Sequence, residues 1–172
     1  MADPNRPTGE QVWEAMCQDP AFQAEVPPGK PRELFRELGM RLPEILAEHL
    51  DKPLTLRSLI EAKLAVAKDV ADGDFMERLI AAYPVQMFQG QDMQGLVAMA
   101  KTVLSQALTS MDGVLADFDV FIRRQNASEE QLLAHPKGGK LGPAAMAEYR
   151  AGTLTVGRLL ALQPQVIVKN VD

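Results

Sequence analysis

The side chains best suited to catalysis or metal binding are few: His49, His135, Cys17 and two groups of aspartates. The histidines are far apart in sequence, and no HxxxH, HxH or Cys–His spacing occurs, so the ligand pattern of a zinc site is missing. His49 follows Glu48 at the end of a short helical stretch, where its charge complements a helix dipole. Cys17 falls on the apolar side of the first helix beside Val12 and Met16, the setting of a buried thiol rather than an activated one. A nucleophile pair would need Cys17 to meet His49 or His135 in space.

The carboxylates are equally plain. Asp112, Asp117 and Asp119 cluster near the end of a long helix, and Asp69, Asp72 and Asp74 surround Gly73. Neither group has the alternate spacing and final Glu of a calcium loop, nor the paired ExxH motifs of di-iron bundles. Gly138-Gly139-Lys140-Leu141 lacks the Ser or Thr of a phosphate loop and follows no strand, so it reads as a flexible loop. No catalytic, cofactor-binding or metal-binding set is expected. Asn126-Ala127-Ser128 has the form of a glycosylation sequon, read here as chance.

With no reaction selected, the elements carry the reading. The chain has 172 residues, one domain of ordinary size, able to bury a core without disulfides. Acidic residues outnumber basic ones, 23 to 18, against the basic surplus that phosphate neutralisation needs. The cationic stretch Lys30, Arg32, Arg36 and Arg41 is interleaved with Glu33, Glu37 and Glu44, so nucleic acid is not an expected partner. Met1 to Pro7 is polar and carries no signal-peptide pattern. No run reaches the roughly 18 to 20 apolar residues of a membrane span, so a cytoplasmic protein without membrane insertion is expected.

The fold class expected is all-α: a single-domain irregular helical bundle around one long central apolar helix, with an extended C-terminal tail. Thr8 with Gln11 and Ser128 with Gln131 have capping-box spacing. Asp19-Pro20 reads as a cap followed by proline at the first helical position. Pro31 opens a helix that Gly39 closes, and Pro43 starts the next. Leu56, Leu59, Ile60, Leu64, Ala67 and Val70 keep the helical period, with Gly73 ending that helix and Asp74 capping another. Gly152 closes a late helix, Thr155 caps the last, and Pro164 ends it. The spacing assigns 1–7 to a flexible N-terminus, 8–164 to the helical domain and 165–172 to the tail.

Met93, Val97, Ala100, Leu104, Ala107, Met111, Val114, Phe118 and Phe121 form an a/d seam with no skipped position. Leu96, Val103, Leu108, Leu115 and Ile122 widen it, and between Met93 and Ala116 only Lys101 and Asp112 are charged. A helix so apolar is normally covered on more than one side. The span expected is about 45 to 50 Å at 1.5 Å per residue, with Gly113 as the place for a bend. Val166, Ile167, Val168 and Val171 favour an extended tail, one that could add to a partner's sheet.

Leu154-Thr155-Val156-Gly157 resembles the start of the C-terminal peptides that load cargo into encapsulin shells. Those peptides usually end a chain after a disordered linker, whereas Arg158, Leu159 and Leu160 continue here in helical spacing, which points to a threonine cap.

Three function classes fit these residues. The leading one is a non-enzymatic helical protein acting through protein–protein interaction or self-association: an adaptor, chaperone, immunity protein or assembly subunit. Its candidate contacts are Met87, Phe88 and Met93 in a glutamine-rich turn, and Val166, Ile167 and Val168 in the tail. The second is a helical pocket for an apolar small molecule or lipid, lined by Leu104, Leu108, Met111, Phe118 and Phe121. The third is an enzyme subunit whose site draws on His49, Cys17 or the aspartates.

Overall fold

A computed structural model describes residues 6–26, 28–82, 93–134 and 141–168. Its elements are all helical: α1 (Gly9–Gln18), α2 (Pro20–Glu25), α3 (Lys30–Ile45), α4 (Leu56–Asp72), α5 (Phe75–Ala82), α6 (Met93–Ala116), α7 (Phe118–Gln125), α8 (Glu129–Ala134), α9 (Pro143–Ala151), α10 (Val156–Leu162) and α11 (Pro164–Val168). Among the described residues no strand forms and no helix is long and apolar enough to cross a membrane.

Local chemistry explains where most helices begin. The Thr8 hydroxyl accepts from Gln11 N–H at 3.2 Å, and the Gln11 side-chain Oε1 accepts from Thr8 N–H at 2.8 Å. Ser128 and Gln131 exchange the same two bonds. Each box satisfies amide donors that a helix start leaves orphaned. Thr155 caps α10, its hydroxyl accepting from Arg158 N–H at 3.1 Å. Thr55 caps α4 with Ser58 as its reciprocal partner. Gly152, at φ 77°, ends α9 in the left-handed conformation that glycine adopts without strain.

Gly39 does not end a helix, and Pro43 does not start one: α3 runs through both. The reason is packing. A Cβ on Gly39 would stand 2.9 Å from the Met16 sulfur, and one on Gly9 only 2.5 Å from the Met40 carbonyl oxygen. The two glycines let α1 and α3 touch almost backbone to backbone. Pro43 lies four residues after Gly39, so the hydrogen bond it cannot donate would have gone to the Gly39 carbonyl.

The centre of the molecule is α4. Leu56, Leu59, Ala62, Leu64, Val66, Ala67 and Val70 are all buried on it, and α3, α5, α6, α8, α10 and α11 all pack against it. The expectation of a central α6 is therefore corrected. Of its described side chains only Leu104 is buried, while Met99 and Val103 are each 60% exposed. Nor does the helix run on to Phe121. It stops at Ala116, and α7 starts after Asp117, whose backbone (φ −116°, ψ 43°) leaves the helical range. Gly113 lies inside α6 with open space around it.

The expected extended tail is also corrected. Pro164 is not the end of a helix but the first residue of α11, the position where its missing N–H costs nothing. Val166 and Ile167 are buried, Ile167 to 2% exposure, against α4, α10 and α1. Burial of two large aliphatics outweighs the weak strand preference of β-branched residues. Residues 169–172, including Val171, lie outside the described part, as do 1–5. Pro7 is buried and Arg6 pairs with Asp51, so the end of the expected flexible N-terminus is tied down.

Leu54-Thr55 and Leu154-Thr155 sit side by side. Pro53 and Thr155 form an isolated antiparallel bridge, Leu54 N–H donates to the Leu154 carbonyl at 2.9 Å, and Val156 N–H donates to the Lys52 carbonyl at 3.0 Å. Leu54, Leu154 and Val156 are buried. Edge-to-face rings join the N-terminal helices: Trp13 to Phe22, Phe22 to Phe35 and Phe35 to Phe75, with centroids 5.5–5.9 Å apart.

Three substitutions check this packing. Gly9→Ala is expected to lower unfolding free energy by about 1–3 kcal/mol in urea titration, because Met40 backbone blocks the new methyl. Gly113→Ala, in open helix, is expected to raise it by about 0.5–1 kcal/mol; equal effects at the two sites would contradict the crossing. Ile167→Ala is expected to cost about 2–5 kcal/mol, and a loss below about 0.5 kcal/mol would mean α11 does not belong to the core.

Candidate functional site

The feature that stands out is the outer side of α6. The seam through Ala100, Leu104, Ala107 and Met111 turns toward the body, where α6 packs on α4 and α5. A second seam lies on the opposite side. Gly95, Met99, Thr102, Gln106, Thr109 and Gly113 are spaced alternately four and three apart, and all are exposed. None carries a charge. A solvent-facing helix side is ordinarily rich in Glu, Lys and Arg, so this one departs from the usual surface chemistry.

The two charges of α6 lie off this seam and are paired with neighbouring helices. Lys101 pairs with Glu77 of α5, and its hydrogen bond holds the Glu77 carboxyl below the ordinary carboxylate range. Asp112 reaches Lys68 of α4 at 3.9 Å. The hydroxyls are similarly occupied. Thr102 donates to the Ala98 carbonyl at 2.9 Å and Thr109 to the Ser105 carbonyl at 3.0 Å. Both threonines thus spend their proton within the helix. A shallow groove of about 550 Å³ runs along Lys101, Thr102, Ser105, Gln106, Thr109 and Ser110, beside the exposed Met99 and Val103.

A second groove, about 680 Å³, lies between α3 and the α4–α5 corner. Its charges are matched: Arg41 pairs with Asp69 at 2.9 Å and Arg78 with Glu37 at 3.0 Å. A third, about 530 Å³, separates Phe118, Asp119, Ile122 and Arg123 of α7 from Glu129 of α8. Glu129 is already engaged, accepting from Leu56 N–H at 2.7 Å and from the Tyr149 hydroxyl at 3.1 Å. Burial, together with the charge of Glu129, pushes the Tyr149 phenol up from its ordinary value.

Among the described residues, those singled out from the sequence do not converge. His49 faces Lys52, with Nδ1 3.5 Å from the ammonium. Cys17 lies near Arg32, Arg36 and Glu14, and burial pushes its thiol up despite the two guanidiniums. Asp117 stands at the α6–α7 break, and Asp119 on the groove under α7. Among the described residues no group of three or more His, Cys, Asp or Glu is placed to hold a metal ion.

Of the expected pocket lining, Leu104 is in the core and Leu108, Phe118 and Phe121 pack partly against it. The Phe118 and Phe121 rings lie 6.4 Å apart, while Met111 is half-buried. Only Phe118 borders one of the three grooves. Val166 and Ile167 are removed from the contact set by burial, and Val168 lies in α11. Met93 opens α6. Met87 and Phe88, like His135 and the Gly138–Lys140 loop, are outside the described residues. Leu154 to Gly157 forms the bridge and the start of α10, with all but Thr155 buried, so those residues are no free targeting peptide. The second α6 seam was readable from spacing, but the first seam is the more apolar and drew the reading inward.

No protein-family model matches the chain, and no curated protein and no solved structure matches it significantly.

Cys17 provides a check on the electrostatics. A thiol with a raised pKa stays protonated at neutral pH, so alkylation by iodoacetamide at pH 8 is expected to be several-fold slower in the folded chain than in urea. Its raised pKa contributes stability that is complete below the unfolded thiol's value, about 8.5, and is lost as pH climbs through the folded one. Equal alkylation rates with and without urea would remove the burial argument.

Proposed function

We propose that the chain is a non-enzymatic helical protein that works by protein–protein interaction, and that the outer face of α6 receives a helix of its partner. The observation that carries this reading is the chargeless second seam, with Met99 in it and Val103 beside it each 60% exposed. Contact surfaces are depleted of charge at their centres and enriched in methionine. Alternating spacing of three and four is what a facing helix engages. Small residues such as Gly95, Thr102, Thr109 and Gly113 let two helix axes come close. Adaptor, chaperone, immunity and assembly roles all use such a face, and the acidic, disulfide-free composition fits the cytoplasm.

The test starts with the native mass of the purified chain, by native mass spectrometry with light scattering. Partners are then captured by proximity labelling in the source cells. The double variant Met99→Glu and Val103→Glu is expected to keep the wild-type melting temperature within a few degrees. It is expected to weaken association about tenfold or more. Unchanged association would place the contact elsewhere. A monomer that carries extra apolar mass would instead favour a ligand-binding role.

A further inference from the structure

We propose that α6 and α7 interconvert between the bent arrangement seen here and one continuous helix from Met93 to Gln125, with Arg57 as the latch that holds the bend. This goes beyond the docking face and does not depend on it. The a/d seam continues through the break without losing register, with Phe118 and Phe121 in phase with Leu104 and Met111. The residue at the break, Asp117, is neither glycine nor proline, and the nearby Gly113 is helical.

The interruption is small. Asp117 N–H still donates to the Gly113 carbonyl at 3.1 Å, and Phe121 N–H to the Asp117 carbonyl at 2.9 Å. Helical bonding is therefore intact on both sides of the missing rungs. Sharp bends without Pro or Gly arise where a side chain enters the ladder, and Arg57 is that side chain. Its Nη1 donates to the Leu115 carbonyl at 3.4 Å, an acceptor that a continuous helix would use for Asp119 N–H. The same guanidinium lies 5.8 Å from the Phe118 ring centroid, and its Nε reaches Glu61 at 3.3 Å. One arginine thus joins the end of α6, the start of α7 and the surface of α4.

α7 is held by partial contacts. Phe118, Phe121 and Ile122 pack partly against the core but none of its residues is fully buried, and the groove beneath it holds about 530 Å³ between Ile122 and Glu129. Beyond α7, Asn126 takes the left-handed conformation (φ 51°), a compact link that can extend while α8 stays anchored by Leu133 and Glu129.

The test is amide exchange and Cα chemical shifts by NMR on the full chain. In Arg57→Met, which keeps the aliphatic stem, the amides of Phe118, Asp119 and Val120 are expected to gain about tenfold or more in protection. The Asp117 Cα shift is expected to move to the helical range. Asp117→Ala, which leaves the latch in place but favours helix at the break, is expected to move the same signals in the same direction. Unchanged exchange at those three amides in both variants would overturn the proposal. So would a loss of protection spread over 118–125, which would show α7 fraying instead of joining α6.

Discussion

Gly9 against the Met40 backbone, and Gly39 against Met16, set the geometry from which the rest follows. A methyl group at Gly9 would meet Met40 backbone and hold α1 and α3 apart, while one at Gly39 would displace the Met16 thioether between them. With the helices in contact, Trp13 reaches Phe22, Phe22 reaches Phe35, and Phe35 reaches Phe75. That chain of rings fixes α2 and α5 on the α1–α3 pair. The other side of α1 is then free to meet α10 and α11. α4 is enclosed by helices from both halves of the sequence, and its seven buried apolar residues form the middle of the core.

This arrangement leaves α6 outside. It touches the body along one stripe, held by Leu104 and by the two ion pairs Lys101–Glu77 and Lys68–Asp112. Exposed ion pairs of this kind add little stability. Their effect here is chemical: they pair both charges of α6 with side chains of α4 and α5. A helix with so few charges in its sequence shows an apolar stripe to the core and an uncharged stripe to solvent.

Much of the fold was legible from local rules. The caps at Thr8, Ser128 and Thr155 depend on residues within one turn, and the structure shows each where the spacing put it, with Pro20 opening α2. The Arg57–Glu61 ion pair, four residues apart on α4, likewise needs only one turn of helix. The errors came where tertiary contact changed the meaning of a residue. Gly39 has the chemistry of a helix end, and only the proximity of Met16 reveals it as a crossing point. Pro164 closes one helix or opens another by the same rule, and burial of Ile167 decides. For α6, composition could not distinguish burial on two sides from burial on one with a second uncharged face left open. The candidate site was read least well for a related reason: sequence marks apolar positions but not which of them the rest of the chain covers.

The pairing of Leu54 with Leu154 has a consequence for how the protein comes into being. These residues are one hundred positions apart, and the apolar side of α1 is covered by α10 and α11. Val12 and Met16 are therefore sheltered only in part, by α2 and α3, until residue 167 has been made, on the order of ten seconds after α1 at ordinary rates of synthesis. The N-terminal helices must wait, partly assembled, for the C-terminal ones. The core therefore closes only when its late helices join its early ones.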